Sequence, residues 1–178
     1  MKRHLALLLG LALLMGLCAC AKPHQPTDEE VLQAYQLATE TASWFRISTL
    51  PTDPADTKEH LGDFSYAKVI SFTSRNQLRE HLLTLFDQEL SDILLDGSDY
   101  IDIDGALYTL DAARGTDPAK GEESYAVVRE RDDKIVLEVT VELLGGENFT
   151  EVVGGEVYDF PFEWVENRWV FTSFPEIR

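Results

Sequence analysis

Cysteine is almost absent from this chain. Its 178 residues include two cysteines, Cys18 and Cys20, and none follows them. Residues 21–178 can therefore form no disulfide, no thiol nucleophile and no cysteine-ligated metal site, even in an oxidising compartment. The stability of the folded part has to come from its core alone.

Basic residues are also few, with 15 Lys and Arg against 32 Asp and Glu and a formal net charge of −17. So acidic a chain cannot replace the counterions of nucleic-acid phosphates, and an anionic membrane surface repels it. Apolar residues make up 44% and aromatic residues 10%, which is too much for a disordered chain. The composition predicts one acidic globular domain without a nucleic-acid partner.

No apolar run is long enough to span a membrane. The longest, Leu5–Leu17, would cover about 20 Å as a helix, against the roughly 30 Å of a bilayer core. Lys2 and Arg3 precede it, and a short apolar run behind positive charges is typical of a secretory signal.

The signal ends in Leu17-Cys-Ala-Cys20, which resembles the cleavage box of bacterial lipoproteins. Cys20 fits the lipid acceptor because the small Ala19 precedes it, whereas Cys18 would follow the bulky Leu17. The alternative is ordinary signal-peptidase cleavage with two incidental cysteines.

Lipidation at Cys20 would divide the chain into a signal peptide (residues 1–19), a lipidated tether (20–27) and one domain (28–178). Two or three acyl chains anchor a protein stably, so we expect it at the extracytoplasmic face of the cell membrane. The net charge changes from −17 to −19 when Lys2 and Arg3 leave with the signal.

Periodicity and capping residues predict an α+β fold, in which N-terminal helices pack on one curved antiparallel β-sheet. A cystatin- or NTF2-like cone is the expected shape. The predicted helices run from about 28 to 45, from Ser74 to Phe86, and from Asp87 or Ser91 to Leu95. Capping boxes are predicted at the start of the first two, Thr27-Asp-Glu-Glu30 and Ser74-Arg-Asn-Gln77. The predicted strands are Phe64–Phe72, Tyr100–Ile103, Ala106–Leu110, Tyr125–Glu130, Lys134–Leu144, Val157–Val165 and Trp169–Phe174.

Three polar segments are predicted as loops because they contain Gly, Pro and Asp: Ser48–Gly62, Ala113–Glu123 and Gly145–Gly155. The helix and strand periods also predict one core seam. Its members are Tyr35, Ala38, Phe45, Leu82, Phe86, Leu137, Val139, Val141, Phe162, Trp164, Trp169 and Phe171.

Residues that could carry chemistry are few. His24, His60 and His81 show no pairing typical of zinc helices, and His81 is expected at the surface. Asp102-Ile-Asp104-Gly105 partly matches a calcium loop but alternates like a strand, so a hairpin over Asp104-Gly105 is the main interpretation. A pair of carboxylates for glycoside hydrolysis is discounted, since a chain with 32 acidic residues always offers some pair.

Acidic residues cluster between positions 87 and 111, where no Lys or Arg occurs. A solvated acidic face is one interpretation, and a patch that steers the protein toward a basic partner is the other. The candidate steering residues are Asp87, Glu89, Asp92, Asp96, Asp99, Asp102 and Asp104.

Several motifs, in this order and spacing, resemble the IseA-type D,L-endopeptidase inhibitor family of Gram-positive bacteria. They are Trp44-Phe45, Leu50-Pro51 with Asp53, Tyr100-Ile-Asp-x-Asp-Gly-x-Leu-Tyr108, Ala113-Arg114-Gly115, Gly121-Glu-Glu-Ser-Tyr125 and Trp169-Val-Phe-Thr-Ser-Phe-Pro-Glu-Ile-Arg178. The resemblance covers roughly residues 28–178. A lipid anchor would distinguish this chain from a freely secreted inhibitor.

The resemblance implies a protein without catalytic machinery, cofactor or metal that binds NlpC/P60-type cysteine peptidases of the cell wall. It implies that electrostatic contacts with a basic cleft rim block the active site. Two of the predicted loops are candidates for entering the cleft, and their charged and amide side chains are candidate contacts: Arg114, Lys120, Glu122, Glu123, Glu147, Asn148 and Glu151. A lipid-anchored binding protein for a small ligand or an envelope protein, and an enzyme, are the other two hypotheses.

Overall fold

The computed structural model describes residues 24–60, 64–110 and 115–177. Three helices and eight strands lie in this part of the chain. The helices are α1 (Asp28–Arg46), α2 (Arg75–Leu82) and α3 (Gln88–Asp96). The strands are β1 (Thr52–His60), β2 (Phe64–Val69), β3 (Ile101–Ile103), β4 (Ala106–Leu110), β5 (Lys120–Arg131), β6 (Lys134–Gly145), β7 (Glu151–Val165) and β8 (Arg168–Phe171).

The strands form two antiparallel four-stranded sheets, so the α+β class is confirmed and the prediction of one curved sheet is wrong. The first sheet has the order β1-β2-β4-β3 and the second the order β5-β6-β7-β8. Each sheet is built almost entirely from neighbours in sequence, which short hairpin connections favour.

Helix α1 begins as its sequence predicts. Thr27 accepts a hydrogen bond from the backbone N–H of Glu30, and the Glu30 carboxylate accepts one from the backbone N–H of Thr27. These two bonds satisfy amides that have no partner inside the helix. Val31, Tyr35 and Ala38 then lie one turn apart on the buried face.

Helices α2 and α3 also begin at the predicted caps, Ser74 and Asp87. The Gln77 side chain accepts from the backbone N–H of Thr73, one residue before the expected partner of a capping box. Between the two helices, the backbone pairs with β8: Phe171 donates to the carbonyl of Leu85. This link attaches the short helices to the second sheet.

The core lies between the helices and the inner face of the second sheet, and Val69 and Leu107 of the first sheet belong to it. Four aromatic rings interlock there, with Phe174 at 4.8 Å from Phe160, 5.2 Å from Phe171 and 5.4 Å from Phe86 between ring centres. All predicted seam residues except Trp164 are in this core or packed against it. Trp164 is half-buried and contacts the Trp169 ring instead.

The segment Ser48–Gly62 is not a loop over its whole length, because Thr52–His60 forms β1. The prolines and acidic residues that indicated a loop are tolerated because β1 is an edge strand, where a missing N–H costs no ladder bond. Its register with β2 is interrupted between Asp53 and Thr57, around Pro54.

The two other predicted loops are shorter than expected. Strand β5 begins at Lys120, inside the predicted loop Ala113–Glu123, and β7 begins at Glu151, inside Gly145–Gly155. A partner strand supplies hydrogen bonds whatever the side chains are, so polar and glycine-rich sequence joins a ladder that local composition does not predict.

Candidate functional site

The hairpin of β6 and β7 extends beyond the rest of the second sheet. Strand β5 follows β6 as far as Leu143, which faces Lys120, and β6 and β7 continue together to Gly145 and Glu151. Every residue from 146 to 157 is exposed. We call residues 145–155 the hairpin tip.

The backbone of the hairpin tip turns through several left-handed residues. Gly146, Asn148 and Phe149 have φ angles of 75°, 69° and 52°. Glycine and asparagine adopt this region readily, but a bulky aromatic residue there is an outlier that costs on the order of 1–3 kcal/mol. Phe149 is also 44% exposed, so burial offsets this strain only in part.

A β-bulge shapes the base of the hairpin tip. Leu143 faces Gly154 and Leu144 faces Val152, which leaves Val153 as the extra residue of β7. The Val153 side chain lies over Gly145, where a Cβ would come within 2.7 Å of its Cγ1 atom. Only glycine allows this close approach.

The hairpin tip is both apolar and acidic. Val152 and Val153 are 59% and 66% exposed, and the exposed Phe149 lies on the turn before them. The candidate residues Glu147 and Asn148 lie on the same turn, and Glu151 begins β7. The apolar residues were missed because the segment was predicted as a polar loop, although the pair Val152-Val153 was a signal for a strand.

The other candidate contacts lie elsewhere. Glu122 is exposed at the start of β5, and Arg114 lies outside the described residues. Lys120 is 17% exposed and binds Glu156 and the hydroxyl of Tyr158, which are on β7. Because β6 separates these strands, Lys120 clamps three strands together at the base of the hairpin tip.

Electrostatics agree with a structural role for this clamp. Hydrogen bonds to Glu156 and Tyr158 raise the pKa of Lys120, and the bond from Lys120 lowers the pKa of Glu156. Each partner therefore stabilises the charged form of the other.

Glu123 faces inward toward α1. Its carboxylate accepts hydrogen bonds from the hydroxyls of Tyr125, at 2.9 Å, and Tyr35, at 3.2 Å. Burial, together with this carboxylate, raises the pKa of Tyr125 to about 12 and raises that of Tyr35 further. Beside Tyr35 and Glu123 lies a cavity of about 60 Å³ between α1 and the C-terminal segment, far smaller than a typical small-molecule site of about 300–1,000 Å³.

Tertiary contacts partly neutralise the candidate steering patch. Arg79 binds Asp92 at 2.8 Å, Arg75 binds Asp96 at 2.9 Å, and Lys58 lies 3.8 Å from Asp104. Asp102 accepts the backbone N–H of Arg75, and Asp87 caps α3. Glu89 and Asp99 are exposed, so the steering role of this surface stays a prediction.

The hairpin over Asp104-Gly105 is confirmed. Both residues have positive φ angles, 51° and 81°, and β3 and β4 pair on either side of them. Within residues 24–60, 64–110 and 115–177, no group of three or more His, Cys, Asp or Glu could hold a metal ion.

His81 is not at the surface as expected but half-buried between α1 and α2. Its ring stacks on Trp44 at 5.4 Å and contacts Phe72 at 5.5 Å. The Nε2 atom lies 3.3 Å from the Thr41 hydroxyl. This aromatic packing and the Thr41 contact hold the His81 ring in place between the helices.

The predicted signal peptide, residues 1–19, and the predicted lipid acceptor Cys20 lie outside the described residues, so both stay predictions. No helix in the described part is long and apolar enough to cross a membrane. No protein-family model matches this chain, and no curated protein has a similar sequence at a significant level.

Proposed function

We propose that this protein inhibits peptidoglycan D,L-endopeptidases of the NlpC/P60 type by inserting the hairpin tip into their active-site cleft. The observation that carries the proposal is the exposed hairpin tip, where the apolar side chains of Phe149, Val152 and Val153 lie beside the carboxylates of Glu147 and Glu151. Its apolar residues can fill the narrow part of a cleft, and its carboxylates can meet a basic rim. The resemblance of its motifs to the inhibitor family suggests the target class.

The proposal includes the lipid anchor at Cys20 and a position outside the cell. The last residues of the tether contact the other end of the second sheet: Gln25 donates to the carbonyl of Arg131, and Arg129 donates to that of Pro26. Strand β6 runs from Lys134 beside this point to Gly145 at the tip, which is about 35 Å at 3.3 Å per residue. An anchored protein would thus present the tip away from the membrane, toward the wall. We also propose that the helices and the two sheets together form a cystatin- or NTF2-like cone.

Hydrolysis of wall peptides by a purified NlpC/P60-type enzyme, measured at increasing inhibitor concentrations, tests the function. We expect the double variant Glu147→Gln, Glu151→Gln to inhibit about tenfold more weakly, mainly through slower association. The matched control is Glu138→Gln with Asp159→Asn, two acidic residues that face each other on the outer face of the second sheet. It loses the same charge and should inhibit like the parent.

Phe149→Asn separates binding from folding. Asparagine tolerates the left-handed backbone better than phenylalanine, so we expect unchanged or higher stability together with weaker inhibition. Phe64→Asn replaces another exposed phenylalanine, on the first sheet, and should leave inhibition unchanged. No inhibition of several such enzymes by the parent protein would contradict the function and favour the alternative, a membrane-anchored binding protein for a small ligand or an envelope protein.

A further inference from the structure

Among the strands that the structure describes, three of the four sheet edges are protected against pairing with another chain. Strand β1 carries Pro54 and a break in register, and β3 and β8 have only 3 and 4 residues. Short strands, prolines and bulges are the usual means of blocking an exposed edge. Strand β5 has none of these over its central part.

Strand β5 has 12 residues and no proline, and in the described part of the chain it pairs with β6 alone. Its residues 123–129 follow β6 in unbroken register. The middle of this stretch, Ser124–Val128, carries no charge, and Tyr125 and Val128 are 45% and 38% exposed. An unprotected edge of this length can accept a further strand.

The sequence of this edge is complementary to itself. One face carries Glu123, Tyr125, Val127 and Arg129, which face buried or inward residues of β6. In an antiparallel pair centred on Ala126, Tyr125 of one copy faces Val127 of the other, and Glu123 faces Arg129. Within its own chain Glu123 binds the hydroxyls of Tyr35 and Tyr125, and Arg129 binds Asp28, so the new charge pair would add to these contacts. Opposite charges and aromatic–β-branched pairs are both favourable directly across two strands.

We propose that β5 pairs with β5 of a second copy of this chain, antiparallel and centred on Ala126, to give a two-fold symmetric dimer with a continuous eight-stranded sheet. Each contact then occurs twice, as two-fold symmetry requires. The net charge of −17 on each chain opposes association. Salt screens this repulsion, so the dimer strengthens as salt rises, whereas docking onto a basic cleft weakens.

Disulfide trapping tests the register. The full chain is purified in detergent with Cys18→Ser and Cys20→Ser, which leaves an introduced cysteine as the only thiol. Ala126→Cys places two cysteines opposite each other, with Cα atoms about 4.5–5.5 Å apart, within the range of a disulfide. Ser124→Cys is the matched control, since its two copies would lie about 13 Å apart along the strand.

We expect Ala126→Cys to cross-link on mild oxidation and Ser124→Cys and Val128→Cys to stay monomeric when each is alone. A mixture of these last two should cross-link, because position 124 faces position 128. Sedimentation of the parent chain should show twice the monomer mass, increasingly so at high salt. Equal cross-linking at 124 and 126, or a monomer at every concentration and salt, would overturn the proposal and leave a strand of another protein as the occupant of this edge.

Discussion

At the scale of single residues, His81 has an environment that its neighbours in the sequence do not predict, because it is half-buried and not at the surface. Burial against Trp44 and Phe72 disfavours the imidazolium and lowers the pKa of His81, and the charge of the Glu40 carboxylate opposes this only in part. The folded protein therefore holds a neutral ring that the unfolded chain protonates at about pH 6.5.

We expect the free energy of unfolding to fall as the pH decreases from 7 through about 6.5, because the unfolded chain then binds a proton that the folded protein does not. Below the folded pKa of His81 this loss levels off. Urea unfolding of the parent and of His81→Gln at a series of pH values measures the effect. The variant should lose this part of the pH dependence, and identical slopes for the two proteins would contradict the assignment.

At the scale of elements, α2 depends on its packing. Its 8 residues are too few for an isolated helix to be stable in water. Leu78 and Leu82 are fully buried, and the backbone link to β8 follows directly after them. The burial of Leu78 and Leu82, the Ser74 cap and the backbone hydrogen bond to β8 therefore stabilise this helix.

Leu82→Ala should lower the free energy of unfolding by about 2–5 kcal/mol, the cost of a cavity at a buried leucine. Leu37→Ala is the matched control on the exposed face of α1, and we expect a change within about 0.5 kcal/mol. Denaturant unfolding of both variants measures the difference. Equal stabilities would show that Leu82 does not lie in the core.

At the scale of the whole molecule, negative charge is in large excess over positive charge. The excess of acidic residues, 32 against 15 basic ones, means that most carboxylates can have no basic partner. Some face each other directly, as Glu138 and Asp159 do on β6 and β7. Such like-charge pairs and the overall repulsion destabilise the compact state.

The melting temperature should therefore rise as sodium chloride increases from about 0.01 to 0.1 M, where the Debye length shrinks from about 30 to about 10 Å. Glu138→Gln with Asp159→Asn removes one of the repulsive pairs and should melt higher than the parent at low salt. Calorimetry at fixed pH measures both effects. A melting temperature that falls with salt would mean that the ion pairs of Arg75, Arg79 and Lys120 outweigh the repulsion.

Much of the fold followed from short-range patterns in the sequence. The caps Thr27, Ser74 and Asp87, the turn at Asp104-Gly105 and the alternation along β6 depend on residues a few positions apart, and each lies where it was predicted. Capping, positive φ and side-chain alternation are local properties of the chain, so the sequence alone determines them.

Contacts between distant segments were decided only in the tertiary structure. Strand β1 exists because β2 lies beside it, although its sequence is typical of a loop. The sequence made Lys120 a candidate contact for a partner. In the folded chain it forms an ion pair with Glu156, which lies 36 positions further along the sequence. Which edge of a sheet stays open, and whether a lysine or a histidine is free, depends on strand pairing and packing across the chain, and no local pattern carries that information.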